Sequence, residues 1–134
     1  MSDKIFVDTN ILVYSVSNDK DKKGIAENIL LNFDVVISPL VIGEFVAVTI
    51  RKKILDSSKV VVYAKNFMQV LNVTVITART VSLALDIMTK YKYSYWDSLI
   101  LSAALENSCS FLYSEDLQDG QKVENTLIIQ NPFK

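Results

Sequence analysis

The chain has 134 residues, half of them apolar, and its 14 Lys plus Arg against 15 Asp plus Glu leave a net charge of −1. That content suits one compact α/β or α+β domain, and the near-neutral balance gives no global attraction to a polyanion, which would have to be met by a local patch or by metal ions. The absence of histidine excludes His-based triads, His general bases and imidazole-ligated zinc, and the single cysteine, Cys109, excludes an intramolecular disulfide.

The first residues, MSDKIFVDTN, lack the basic start and long apolar stretch of a signal peptide, and no later apolar run approaches the ~20 residues of a membrane span. A cytoplasmic chain without membrane segments is expected. The first β-rich run is Lys4–Val7, closed by Asp8, which standing alone before Thr9 and Asn10 would read as a helix N-cap. Asp19–Phe33 sets charges against Ile25, Ala26, Ile29 and Leu30, the pattern of an amphipathic helix on the outside of a sheet. A second β-rich run, Val35–Ser38, leads into Ser38-Pro39, an N-cap followed by proline at the first helical position. The helix it opens, PLVIGEFVAV, is apolar on nearly every side, carries Glu44 in its second turn and ends in Arg51, Lys52 and Lys53.

Ser57 precedes the next apolar-periodic run, Ser57–Leu71, in which Val61, Val62, Ala64 and Phe67 suggest a helix that buries an outer stripe in a homodimer. Val73–Ile76 reads as a third strand, Thr77 starts another helix, and Ser94 opens YWDSLILSAAL with Asp97 at capping-box spacing. Cys109 reads as a buried strand residue within SCSFLY, and Ser110–Tyr113 and Leu127–Ile129 as the fourth and fifth strands around the turn-like segment SEDLQDGQ, which holds Asp116. With no repeat, no low-complexity segment and no linker, residues 1–134 form a single domain, and the β/α alternation predicts a five-stranded, mostly parallel sheet flanked by helices.

Asp8 and Asp116 both follow strands and so emerge at one carboxyl edge of a parallel sheet, where open α/β folds place their ligands. Glu44 and Asp97 lie in early turns of helices near that same edge. Singly, Asp8 and Asp97 also fit capping roles and Asp116 a solvated loop acid, whereas Glu44 has no Lys or Arg on its face until Arg51. Jointly the four predict a carboxylate cluster. Such a cluster needs cations to neutralise it, and oxygen-only ligation suits Mg²⁺ or Mn²⁺.

IFVDTNILVY, SPLVIGEFVAV with its central Glu, YWDSLILSAAL and LYSEDLQDGQ, in this order, resemble the successive motifs of PIN-domain ribonucleases, especially the VapC-like toxins among them. The resemblance spans Ile5 to the strand at Leu127–Ile129. It implies a three-layer PIN-like fold and a metal-dependent endoribonuclease, the toxin of a toxin–antitoxin pair, with Asp8, Glu44, Asp97 and Asp116 as catalytic and Mg²⁺- or Mn²⁺-binding residues. Thr9, Asn10 and Ser114 match positions that orient ligands or substrate, and Asp119 is an outer-shell acid or a surface one. A homodimer and an antitoxin protein are the partners the family implies beside RNA.

The chemistry of such a cluster agrees: a divalent cation activates water and offsets charge on the phosphate, which leaves 5′-phosphate and 3′-hydroxyl ends. Arg51–Lys53 and the group Lys20, Lys22 and Lys23 are candidate phosphate contacts, though cations in a last helical turn also serve the helix dipole and a Lys-rich face is usually just solvated. The aromatics near Asp97, Tyr91, Tyr93, Tyr95 and Trp96, could stack on an unpaired base; packing is the better reading for Trp96, while Tyr93 and Tyr95 are open. A receiver-type phosphoacceptor would need an acidic pair after the first strand and a Lys after the last, and an aspartyl phosphatase an acid where Asn10 stands. The remaining alternative is a non-catalytic PIN-like RNA-binding or scaffold module.

Overall fold

The computed structural model describes residues 3–134. Its elements run β1 Lys4–Val7, α1 Thr9–Ser15, α2 Lys20–Asn32, β2 Asp34–Ile37, α3 Pro39–Arg51, α4 Ser57–Val70, β3 Asn72–Val73, α5 Ala78–Tyr91, α6 Tyr95–Glu106, β4 Phe111–Tyr113, β5 Lys122–Val123 and β6 Leu127–Gln130. The fold is α/β. One sheet, ordered β3-β2-β1-β4-β6-β5, is parallel throughout except for the β5–β6 pair, and helices flank it.

Strands β1 and β2 carry the composition of a sheet covered on both faces. In both β1 and β2 the last three residues are buried in succession, as expected of strands covered on both faces, where alternation would mark a half-solvated sheet. Lys4 and Asp34 begin these strands, exposed and in register with each other. The core gathers Phe6, Ile11, Leu12, Ile37, Leu101, Leu112, Leu127 and Ile129, all shielded from solvent.

Six strands replace the expected five. The additional one, β5, is only two residues long and closes a hairpin with β6 through Glu124 and Asn125, both at positive φ. Gly120, at φ +86, takes a left-handed conformation that other residues rarely adopt and donates its N–H to Ile129 O at 2.7 Å. At the other edge β3 covers Asn72–Val73 in place of Val73–Ile76, although Thr74 N still donates to Ile37 O. Cys109 is buried as expected but precedes β4, and burial pushes its thiol up to about 11, which disfavours the thiolate.

Helix starts follow the sequence closely. Ser38, Thr77 and Ser94 are N-caps of α3, α5 and α6, and Asp19 caps α2. For α4 the cap is Asp56, one residue before the expected Ser57, because its carboxylate accepts from Lys59 N at 3.0 Å and from Ser58 Oγ at 2.7 Å. At α6 Ser94 Oγ accepts from Asp97 N at 3.1 Å, the first half of the expected capping box.

Burial differs between the two helices that carry Glu44 and Asp97. α6 is buried continuously from Ser98 to Ala104, but α3 buries only Val41, Phe45 and Thr49 and exposes Ile50. Phe45 stacks edge-on against Phe67 of α4 at 5.2 Å, so Phe67, like Ala64, belongs to the core and not to an outer stripe. Val61 and Val62 do face outward. No helix among the described residues is long and apolar enough to cross a membrane.

Candidate functional site

The site grows from one register. β1 lies between β2 and β4: the chain runs outward from β1 through β2 to β3 and then crosses over to place β4 on the other side of β1, the kind of switch point where a crevice opens beyond the strand ends. Val7 pairs with Tyr113, and therefore the next residues, Asp8 and Ser114, meet there. Asp8 N donates to Tyr113 O at 3.0 Å, and Ser114 Oγ donates to Asp8 Oδ2 at 2.8 Å.

Asp8 is only 6 % exposed. Its Oδ1 accepts from Thr9 N at 2.7 Å, so it caps α1 and also turns its second oxygen inward; the capping and site roles coexist. Burial raises its pKa from 3.8 to about 6, opposed by the Ser114 and Thr9 bonds and reinforced by the charges of Asp116 and Asp97. Asp97 is pushed up as well, first by burial and then by Asp116, against a lowering hydrogen bond with Ser94.

The small polar residues organise the other carboxylates. Thr9 Oγ1 donates to Glu44 Oε2 at 3.3 Å. Asn10 Nδ2 donates to Asp116 Oδ2 at 3.2 Å, while its Oδ1 accepts from Glu115 N at 3.4 Å. Ser114 Oγ accepts from Asp116 N at 3.1 Å and from Leu117 N at 3.4 Å, folding the loop after β4 back over the end of β1. Asp119 is directed elsewhere: its carboxylate accepts from Asn131 N at 2.8 Å and lies 3.8 Å from Lys134 Nζ, which ties down the C-terminal segment.

Asp8, Glu44, Asp97 and Asp116 all line one cleft of about 330 Å³. Glu44, Val48, Arg51 and Lys52 reach it from a single face of α3, as their i, i+4, i+7 and i+8 spacing requires. Among the described residues, however, no three such side chains are drawn together into a finished metal cage. Carboxylates without a counter-charge repel one another, and here each of three is held back by its own hydrogen bonds to Ser114, Asn10 or Thr9. The donor set still suits a hard divalent cation: every group is an oxygen, and Asp8 and Asp97 are desolvated carboxylates that gain from a positive charge. Ser98, which follows Asp97 on α6, has a buried Oγ without a hydrogen-bond partner among the described residues, but it is not part of the cleft lining.

The basic and aromatic candidates divide. Arg51 and Lys52 line the cleft, whereas Lys22 is committed to an ion pair with Glu115. Tyr91 and Tyr93 are structural: their hydroxyls bond Glu124 and Gln121. Trp96, expected to pack, is instead 58 % exposed, touching Tyr95 edge-on at 5.1 Å. Glu115, Tyr14 and Asp19 also line the cleft and went unread in the sequence; Tyr14 alone carried a signal, standing one turn beyond Asn10 on α1. A second cavity, about 210 Å³ between α2 and α4, is lined by Leu30, Leu31, Tyr63, Phe67 and Val70 and holds none of the four acids.

Among solved structures, the fold is similar to VapC20 of Mycobacterium tuberculosis, described as a sarcin-ricin loop cleaving toxin, at TM-score 0.69 and 20 % identity over 84 % of this chain and 89 % of that one. It is also similar to a toxin–antitoxin complex from Klebsiella pneumoniae, at TM-score 0.71 and 17 % identity over 96 % and 97 % of the two chains. A third similar structure is VapBC2 of Rickettsia felis bound to a promoter DNA fragment, at TM-score 0.70 and 19 % identity over 96 % and 98 %. Comparison with curated protein sequences gives no match. A family model of the PIN domain matches residues 5–119, which takes in β1, the cleft acids and the loop after β4, and the chain therefore belongs to the PIN-domain family.

Proposed function

We propose that this protein is a Mg²⁺- or Mn²⁺-dependent endoribonuclease acting in the cytoplasm as the toxin of a toxin–antitoxin pair. The observation that carries the reading is a buried Asp8, its pKa lifted to about 6, in one cleft with Glu44, Asp97 and Asp116. A structural role alone gives no reason to crowd these charges, and PIN-domain membership supplies the context for them.

In this reading Asp8, Asp97 and Asp116 hold the cation directly or through water, and Glu44 either joins them or orients the attacking water. A bound divalent ion supplies a lowered pKa for water and positive charge at the phosphate. The chain's own residues do the rest. Ser114, Thr9 and Asn10 fix the carboxylate rotamers, and Arg51 and Lys52 accept flanking phosphates of the RNA. Water oxygen bonds to phosphorus as the P–O3′ bond breaks, and the departing oxygen takes up a proton, leaving 5′-phosphate and 3′-hydroxyl ends.

A nuclease of this kind requires restraint. The similar structures named as toxin–antitoxin and VapBC complexes support a small antitoxin as partner, one whose Arg or Lys reaches the acids of the cleft. Exposed Val61, Val62, Met68 and Val70 along α4 offer apolar surface for a homodimer. Induced expression in a bacterial host should arrest growth with the wild type and not with Asp8→Asn. Equal growth with both would favour a scaffold over a toxin.

A further inference from the structure

The loop carrying Asp116 is gripped from outside the acid cluster. Tyr14 Oη donates to Glu115 Oε1 at 2.6 Å, and Lys22 Nζ pairs with Glu115 Oε2 while also reaching Tyr14 Oη at 3.2 Å. The ammonium lies 4.7 Å from the Tyr14 ring centroid and 5.6 Å from that of Phe133, and those two rings meet edge-on at 4.9 Å. An ordinary surface ion pair contributes little because its side chains stay free. This one is closed by two aromatic rings and a hydroxyl, with both side chains about one-third exposed or less.

Glu115 stands between Ser114, which holds Asp8, and Asp116, and its own N–H is bound to the Asn10 amide that also holds Asp116. Whatever fixes Glu115 therefore fixes the direction in which Asp116 leaves the sheet. We propose that Lys22 and Tyr14 are positioning residues: by clamping Glu115 they aim Asp116 into the cleft and so set its affinity for a divalent cation. This rests on the metal-nuclease reading of the cleft. It adds that α2 and the C-terminal Phe133, remote from the four acids in sequence, take part in shaping the cation site.

Mn²⁺ alone is the probe, titrated into the purified full chain and followed by electron paramagnetic resonance of the free ion. Simple electrostatics says that Lys22→Met, which removes a cation from the rim of an anionic cleft, tightens Mn²⁺ binding. The clamp predicts the opposite. Lys22→Met and Tyr14→Phe should each weaken Mn²⁺ binding, by about tenfold as for other outer partners of metal ligands, and Lys22→Arg should restore most of it. Should Lys22→Met fail to fold, Tyr14→Phe, which removes one hydroxyl, decides the matter.

Unchanged or tighter Mn²⁺ binding in the folded variants would overturn the clamp. So would a Lys22→Met that raised KM for RNA while leaving Mn²⁺ affinity intact, since Lys22 would then be a phosphate contact. A wild type that binds no Mn²⁺ would instead remove the metal-nuclease reading itself, and the clamp with it.

Discussion

Ser114 Oγ donates a 2.8 Å hydrogen bond to Asp8 Oδ2 across 106 positions of sequence, and the same oxygen accepts the Asp116 N–H at 3.1 Å. One hydroxyl thus joins the end of β1 to the loop after β4. Burial pushes Asp8 up, and the Ser114 bond is the largest counterweight. Ser114→Ala should destabilise the fold by about 1–3 kcal/mol, the range for a buried polar group left unpaired, as read by urea unfolding. Any remaining cleavage should move its lower pH limb upward, because Asp8 holds its proton longer. A variant with unaltered stability and pH profile would show that the bond is incidental.

Asp8 also makes stability depend on pH in a defined direction. Its folded-state pKa of about 6 lies above the 3.8 of an unperturbed carboxyl, so between those values the folded chain binds more protons than the unfolded one. The stabilisation is full below pH 3.8 and is lost as pH rises through about 6. At about 1.4 kcal/mol per pKa unit, the loss in metal-free protein is on the order of 3 kcal/mol. Urea unfolding of wild type and Asp8→Asn across this range should show the variant gaining relative stability with rising pH, and Mg²⁺ restoring the wild type at neutral pH. A flat difference would mean that Asp8 is not desolvated.

Much of this was legible in the sequence because it was written locally. The apolar run before Asp8 marked a buried strand, and Ser38-Pro39 and Ser94 marked the helices that carry Glu44 and Asp97. What was not legible depends on tertiary register. The Val7–Tyr113 pairing that brings Ser114 to Asp8 and the Lys22–Glu115 pair both join distant segments, and nothing near either residue announces its partner. Strand β5 was too short to show a period. Trp96, expected to pack, stands in the first turn of α6, which is left uncovered although Leu99 and Ile100, three and four residues later, are buried.

That exposure makes Trp96 testable as a base platform. It is the only tryptophan of the chain and sits next to Asp97. Base stacking is worth about 1–3 kcal/mol, so Trp96→Ala should weaken binding of a single-stranded RNA roughly 5- to 150-fold, and the same RNA should quench wild-type fluorescence. RNA binding without quenching would exclude stacking at this residue.

Arg51 and Lys52 are the cations that line the cleft. Replacing either with Ala should raise KM for RNA more than it lowers kcat, and reduce the salt slope of binding by about one. A fall in kcat with KM and salt slope unchanged would place the residue outside the substrate path.

The most direct test of the account is cleavage of RNA by the purified protein with and without divalent metal, with the product ends identified. The account predicts cleavage in Mg²⁺ or Mn²⁺, none in excess chelator, 5′-phosphate and 3′-hydroxyl ends, and no activity in folded Asp8→Asn, Asp97→Asn or Asp116→Asn. Cleavage that survives the chelator, or products ending in 2′,3′-cyclic phosphate, would contradict it.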